Sequence, residues 1–263
     1  MKVSIIGVGA MGGAIADGLV RAGGVELMLA NPSDGALKRF ADMPGSVGVR
    51  VTNDNCEAAR FGDFVILAVK PWLVERVAQE IRQELDYYRQ KVVVVAAGIS
   101  FAQLIDRFCR DGMLPTMAIG MPNTAVAVGE SMTFLVSDSS DKETLGEIKG
   151  LFDLMGTTLM IDEAHLPAAT TLASCGIAYA MRYIRASMEG GVELGFKAAV
   201  AQEIVAQTVK GAAALLSVPG SHPESEIDKV TTPGGLTIKG LNEMEHAGFT
   251  SAVIRGLKAG IRK

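Results

Sequence analysis

The chain holds 263 residues, 49% of them hydrophobic and 21% charged, with a formal net charge of −4 at pH 7. These values exclude a disordered chain and leave room for one large domain or two modest ones, each with a core. The acidic balance and an aromatic content of 5% argue against nucleic acid as a partner, since phosphate contacts demand clustered Lys and Arg and single strands demand stacking platforms. The most apolar runs, Phe64 to Val69 and Val92 to Ala97, are too short to span a bilayer, so no membrane association is expected. No signal peptide precedes the first strand, and a cytoplasmic location is the expectation. Cys56, Cys109 and Cys175 are odd in number and widely separated, and His165, His222 and His246 are equally isolated. Neither set has the spacing of a disulfide framework or a metal site, so no metal is expected.

Lys2 to Ile6 reads as a buried strand, and Gly7-Val8-Gly9-Ala10-Met11-Gly12 follows it without a gap. A helix then begins near Gly13, with Ile15, Leu19 and Val20 on one face. In this strand–turn–helix setting G-x-G-x-x-G signals a dinucleotide. Gly7 permits the tight turn, Gly9 lets the backbone approach a pyrophosphate, and Gly12 lets the helix pack close to the strand. The helix start offers unpaired N–H groups to the anion. Val25 to Ala30 reads as a second strand, ended by Asn31-Pro32-Ser33-Asp34-Gly35, with a short helix around Ala36 to Ala41 and a brief strand near Val47 to Val51. Phe64 to Val69 has the continuous apolar character of a central parallel strand and stops at Lys70-Pro71. An amphipathic helix over roughly Leu73 to Leu85 and another buried strand over Val92 to Ala97, closed by Gly98, continue the alternation. Segments near Thr116 to Ile119 and Ser131 to Val136 suit edge strands. The fold class expected is therefore α/β, a doubly wound Rossmann-type sheet, over residues 1–161.

Strand signals vanish from Glu163 onward, and helical spacing such as Val200, Ile204, Gln207, Gly211 and Leu215 takes over. An all-α domain is expected over residues 162–263. The stretch Ala168 to Met181 is apolar nearly all round as a helix, which predicts burial by a second subunit and hence a homo-oligomer.

Ligands of open α/β sheets bind beyond the carboxyl ends of the strands. Those ends here carry Gly7 to Gly12, Asn31 to Ser33, Ala68-Val69-Lys70-Pro71 and Ala96-Ala97-Gly98, the candidate cofactor contacts. An Asp or Glu at the tip of the second strand would accept from a ribose 2′-OH and repel a 2′-phosphate. The chain places Asn31 and Ser33 there, with Lys38 and Arg39 on the following helix, so NADPH is expected; Asp34 close by keeps NADH open. Two further loops suit a ligand. Met121-Pro122-Asn123-Thr124 is a polar turn fixed by proline, with an ordinary turn as the plain alternative. Thr232-Pro233-Gly234-Gly235 runs into a helix at Leu236, exposing backbone N–H groups as a carboxylate site, with Thr237 as a hydroxyl donor; a simple capped helix start is the alternative.

These segments, taken in order along nearly the whole chain, resemble the pyrroline-5-carboxylate reductases. The likeness also includes Ala178-Tyr179, Glu189 to Gly195 and His222-Pro223. The resemblance implies an N-terminal Rossmann domain and a C-terminal helical domain that intertwines into a dimer, often assembled further into a decamer. It implies a small cyclic imino acid as substrate, lying between the nicotinamide and the helical domain, with its carboxylate held at Gly235, Leu236 and Thr237 and its nitrogen facing the Thr237 hydroxyl. It also places Asn55 against the nucleotide. The chain departs from the family pattern at Ala173-Ser174-Cys175-Gly176-Ile177, where the family reads Ser-Gly-Ser-Gly-Pro, at Ile119 in place of an arginine, and at Ala125 in place of a proline. Reductases of another cyclic imine, a deazaflavin-linked NADP reductase and a non-catalytic dinucleotide-binding regulator stand as the alternatives.

Overall fold

The computed structural model describes residues 1–41, 48–137, 139 and 141–261. The chain divides into two compact units, Met1–Ser174 and Cys175–Lys263.

In the first unit β1 (Lys2–Ile6), α1 (Ala10–Ala22), β2 (Glu26–Ala30), α2 (Asp34–Ala41), β3 (Val49–Thr52), α3 (Asn55–Phe61), β4 (Phe64–Leu67), α4 (Val74–Ile81), β5 (Lys91–Val94), α5 (Phe101–Phe108) and β6 (Thr116–Met121) alternate as expected. Then come β7 (Ser131–Val136), α6 (Lys142–Asp153), β8 (Gly156–Met160) and the single turn α7 (Leu166–Ala169). The strands form one sheet of order β3-β2-β1-β4-β5-β6-β7-β8, parallel except where β7 runs against β6. The reversal of direction around β1 is the doubly wound signature and places the switch point between β1 and β4. Register sharpens this: Ile6 lies beside Ala30 on one side and Leu67 on the other, and Leu67 lies beside Val94. The residues that follow, Gly7, Asn31, Ala68 and Val95, therefore share one edge of the sheet.

The central strands read as unbroken apolar runs because both faces are covered. On one face Val65, Leu67, Val92 and Val94 pack with Val74, Ala78 and Ile81 of α4 and Leu104 and Phe108 of α5. On the other Val3, Ile5, Ile66 and Val93 pack with Ile15 and Leu19 of α1, Phe40 of α2 and Leu151 and Phe152 of α6.

Several boundaries differ from expectation. The brief strand falls at Val49–Thr52; Val47 lies outside the described residues. A 3₁₀ turn at Pro71–Leu73 delays α4 to Val74, because the lysine before that proline is held in extended backbone. The strand β8 and the helices α3, α5 and α6 add to the alternation expected from the sequence. By compactness the first unit ends at Ser174. Residues past Ile161 stay with the sheet because Glu163 accepts a 2.8 Å hydrogen bond from the Phe101 amide at the start of α5, and Leu166 enters the apolar core.

The second unit is all helical: α8 (Cys175–Glu193), α9 (Ala198–Leu215), α10 (Pro223–Lys229), α11 (Leu236–His246) and α12 (Phe249–Ala259). The apolar stretch expected as one helix over Ala168 to Met181 is instead α7, a wider π-type turn at Thr170–Ser174, and the start of α8. The Thr170 hydroxyl donates to the Leu166 carbonyl and the Ser174 hydroxyl to that of Pro122, drawing the backbone out of regular α pitch.

Candidate active site

The three glycines of the first turn differ in what a side chain would meet. Gly7 sits at φ +97°, and a Cβ there would lie 2.7 Å from a methyl of Val69 and 2.8 Å from the Ala68 carbonyl oxygen. Gly12 is buried, and a Cβ on it would collide with the Gly7 carbonyl oxygen. Gly9 has open space where its Cβ would be. It is also the N-cap of α1, and no side chain caps the helix there. The amides that begin α1 are thus left for an anion, and the missing side chain gives it access.

The turn is fastened from β2. Gly7 N donates to Ala30 O at 2.9 Å, and Val8 N donates to Asn31 Oδ1 at 3.1 Å. The Asn31 amide nitrogen donates onward to the carbonyl and hydroxyl oxygens of Ser33 at 3.1 and 3.0 Å. Asn31 therefore acts first as a latch on the glycine turn. Ser33 Oγ accepts from it, which leaves the hydroxyl hydrogen for another partner.

A cleft of about 410 Å³ opens along this strand edge. Of the expected cofactor residues, Gly7, Gly9, Ala10, Met11, Asn31, Ala68, Val69, Lys70, Pro71 and Ala97 line it. Gly12 lies buried behind the turn, while Ser33 and Gly98 are exposed beyond the lining. Asn55 lines a second hollow of about 270 Å³, which shares Gly7, Pro32, Val69 and Leu73 with the first. There its amide donates to Glu80 Oε2 at 3.0 Å. Asn53 braces the same region by donating to Asn31 O at 2.9 Å and Asp34 Oδ1 at 3.0 Å. An open backbone at a bare helix start, with apolar walls on both sides, fits a dinucleotide.

The two cations of α2 have different surroundings. Arg39 donates to Asp17 at 2.9 Å and lies 4.3 Å from the centre of the Phe40 ring, clamping α2 to α1. Gly13 makes room for it, since a Cβ there would come within 2.7 Å of the guanidinium. Lys38 lines a separate hollow with Asp34 and Asn53. Asn123 is buried: its Oδ1 accepts from Ala125 N at 3.0 Å and its Nδ2 reaches the Ala173 carbonyl at 3.5 Å. Its Oδ1 can accept one more hydrogen bond and its Nδ2 can donate one more, so a substrate contact need not break either. The Cys56 thiol is pushed up by burial and then by the Asp54 and Glu80 carboxylates, which keeps it protonated at neutral pH.

In the helical unit Gly234 sits at φ +70° and Gly235 is the N-cap of α11, again with no side-chain cap. Gly235 N donates to Thr232 O at 3.0 Å, which closes the turn before the helix. Leu236 and Thr237 are exposed, and Thr237 makes no side-chain hydrogen bond among the described residues. The amides and hydroxyl expected to hold a carboxylate are thus available.

Leu73, Arg76, Val77 and Glu80, which line the second hollow, escaped the sequence reading. Their spacing of three, four and seven residues marks one helix face, a signal present in the sequence.

Comparison with known proteins decides the family. Residues 163–263 match the family model described as pyrroline-5-carboxylate reductase dimerisation. A pyrroline-5-carboxylate reductase of Dictyostelium discoideum is 35% identical, covering 97% of this chain and 89% of the relative. The chain belongs to the pyrroline-5-carboxylate reductase family. A Synechocystis pyrroline-5-carboxylate reductase is 33% identical, covering 100% of this chain and 97% of its own. The crystal structure of 1-pyrroline-5-carboxylate reductase from Streptococcus pyogenes superposes with a TM-score of 0.82 at 31% identity, covering 99% of this chain and 96% of that one. Residues 2–98 match the model described as NADP oxidoreductase, coenzyme F420-dependent. The glycine-turn half is thus common to two reductase groups, and the helical half separates them. The first unit is the coenzyme domain of an NAD(P)H-dependent oxidoreductase, and the second is the family's dimerisation domain.

Proposed function

We propose that this chain reduces 1-pyrroline-5-carboxylate to L-proline, the final step of proline synthesis, with NADPH as the preferred coenzyme. The observation that carries the reading is the uncapped start of α1 at Gly9, open on a cleft of about 410 Å³, in a chain of this family. When bound, the coenzyme supplies a hydride to the imine carbon. The amides of Gly235, Leu236 and Thr237, after the turn made by Gly234, hold the substrate carboxylate at the N-terminus of α11. The Thr237 hydroxyl hydrogen-bonds the ring nitrogen. That nitrogen collects its proton from water, so the chain's task is to position the ring, a matter of proximity and orientation rather than of a strong acid. Asn123 supports the site by fixing its loop.

A homo-oligomer is part of the proposal, since the helical unit carries much exposed apolar surface. Among the described residues no helix is long and apolar enough to cross a membrane. The free thiols at Cys56, Cys109 and Cys175 fit a reducing compartment such as the cytosol.

The test follows NADPH absorbance with pyrroline-5-carboxylate, with a six-membered cyclic imine, and without imine. Steady oxidation with the five-membered imine alone is the expected result. Faster oxidation of the larger ring would move the substrate assignment, and coenzyme binding without oxidation would make the chain a regulator.

A further inference from the structure

We propose that Arg76 on α4 is the residue that selects NADPH over NADH in this chain, by receiving the 2′-phosphate of the adenosine ribose. The assignment rests on the coenzyme reading of the cleft and names the side chain that sets its specificity. With a pyrophosphate at Gly9, the adenosine half of a dinucleotide extends toward the tips of β2 and β3. The second hollow lies there: Pro32 follows β2, Asn53 and Asn55 follow β3, and the hollow is continuous with the main cleft through Gly7 and Val69.

The local charges favour a phosphate over a bare hydroxyl. Asn31 stands where an NAD site carries a carboxylate, and Asp34, three residues on, lines a different hollow and has Oδ1 accepting from the Asn53 amide at 3.0 Å. Of the other cations nearby, Arg39 pairs with Asp17, Arg60 pairs with Glu84 at 2.6 Å, Arg50 lies over the face of Phe61 at 5.2 Å, and Lys70 lines the main cleft rather than the second hollow. Lys38 faces the separate hollow beside Asp34. Arg76 is the one Lys or Arg lining the second hollow, and it makes no ion pair among the described residues. Glu80, one turn further along α4, holds the Asn55 amide through Oε2. A guanidinium fork without a carboxylate partner suits a dianionic phosphate, which it binds through paired N–H donors.

The experiment is calorimetric titration of the full-length protein with 2′,5′-ADP and with 5′-ADP, alongside steady-state kinetics with NADPH and NADH. Arg76→Gln is expected to weaken 2′,5′-ADP by about tenfold to a hundredfold while leaving 5′-ADP unchanged, the span of a charged hydrogen-bonded contact. KM for NADPH rises by the same factor, with kcat and the NADH parameters unmoved. Retained 5′-ADP affinity shows that the variant is folded. Lys38→Gln serves as the rival, and a selective loss there instead would overturn the assignment. So would an equal loss of both nucleotides on Arg76→Gln, which marks an adenine contact, or no loss of either. A wild-type protein that binds 5′-ADP with no gain from the 2′-phosphate refutes this proposal alone, whereas one that binds neither nucleotide refutes the coenzyme site as well.

Discussion

The two units bury their hydrophobic residues very differently. In the first, both faces of the sheet are covered, and Phe40, Phe108 and Phe152 are wholly enclosed. In the second, Ala201 alone is buried among the described residues, while Leu194 is 82% exposed and Tyr183, Phe249, Val253 and Ile254 are all exposed. A hollow of about 500 Å³ lies in this unit and is walled mainly by side chains such as Tyr179, Tyr183, Met244, Phe249 and Val253. Exposed apolar surface on this scale marks a surface built to meet another protein, and in a dimerisation domain that protein is a second copy. One unit encloses its apolar side chains in its own core, and the other leaves them exposed.

The sharpest way to break that contrast is to place a charge on the helical surface. Tyr183 and Phe249 meet edge to face at 6.4 Å, so Phe249→Asp removes an aromatic anchor and leaves an unpaired carboxylate in the contact. We expect association to weaken by at least about 2 kcal/mol, read as monomer by light scattering, with 5′-ADP binding by the first unit preserved. A variant that remains oligomeric with wild-type unfolding behaviour would show that this hollow is not the interface.

Inside the first unit, the same contrast can be drawn between two glycines three residues apart. Gly12→Val drives a side chain into the Gly7 carbonyl and is expected to cost about 1–3 kcal/mol in urea unfolding, with coenzyme binding lost. Gly9→Ala meets no protein atom, so stability should stay within about 0.5 kcal/mol of wild type. The methyl instead occupies the approach to the helix start, and coenzyme affinity should fall about tenfold, the equivalent of 1.4 kcal/mol. If Gly9→Ala binds coenzyme as well as wild type, the pyrophosphate lies elsewhere.

How much of this was legible follows from the range of the forces involved. The glycine turn was readable because its pattern is local: Gly12 answers to Gly7 within the turn, and the more distant contacts, Ala68 and Val69, stand at the end of an apolar strand the sequence displays. The pairing of Arg39 with Asp17 was not legible, because Asp17 lies on another helix and only the packing of α2 on α1 brings them together. Asn31 was rightly placed at the tip of β2, but its bond to Val8 N depends on the register of β1 with β2, which composition does not reveal. The change in periodicity after Ile161 was legible and falls where the dimerisation-family match begins, at residue 163, whereas the bond of Glu163 to the Phe101 amide and the burial of Leu166, which tie this segment to the sheet, were not. Strand β8 pairs only with β7, and its run Gly-Thr-Thr-Leu-Met, mostly exposed, gave no apolar signal of a strand.

In the helical unit the function-bearing change is smaller than the interface one. Thr237→Ala removes a hydroxyl with no intramolecular partner among the described residues, so stability should be unaffected. We expect kcat to fall about tenfold, the loss of one neutral-to-charged hydrogen bond, with the coenzyme Kd unchanged. Equal losses in turnover and coenzyme affinity would remove Thr237 from the imine nitrogen and return it to a structural role.

The smallest expected effect belongs to the first unit, at a helix cap that lines neither coenzyme hollow. Asp141 precedes α6 and accepts from Glu143 N at 3.1 Å and from the Thr144 hydroxyl at 2.5 Å. The Thr144 hydroxyl and then the Glu143 amide hold its carboxyl below the ordinary aspartate range. Folding therefore favours the charged form, and the contribution to stability is present in full above the unfolded carboxylate's pKa of about 4. It is lost as the pH falls through the lowered folded value. Asp141→Ala should accordingly unfold slightly below wild type at neutral pH, and the two midpoints should converge in acid. Because α6 covers one face of the sheet, the difference should appear in the unfolding of the first unit and leave the oligomeric state untouched. A gap that persists unchanged at low pH would mean that the cap acts through its neutral form, without the charge that the Thr144 and Glu143 donors stabilise.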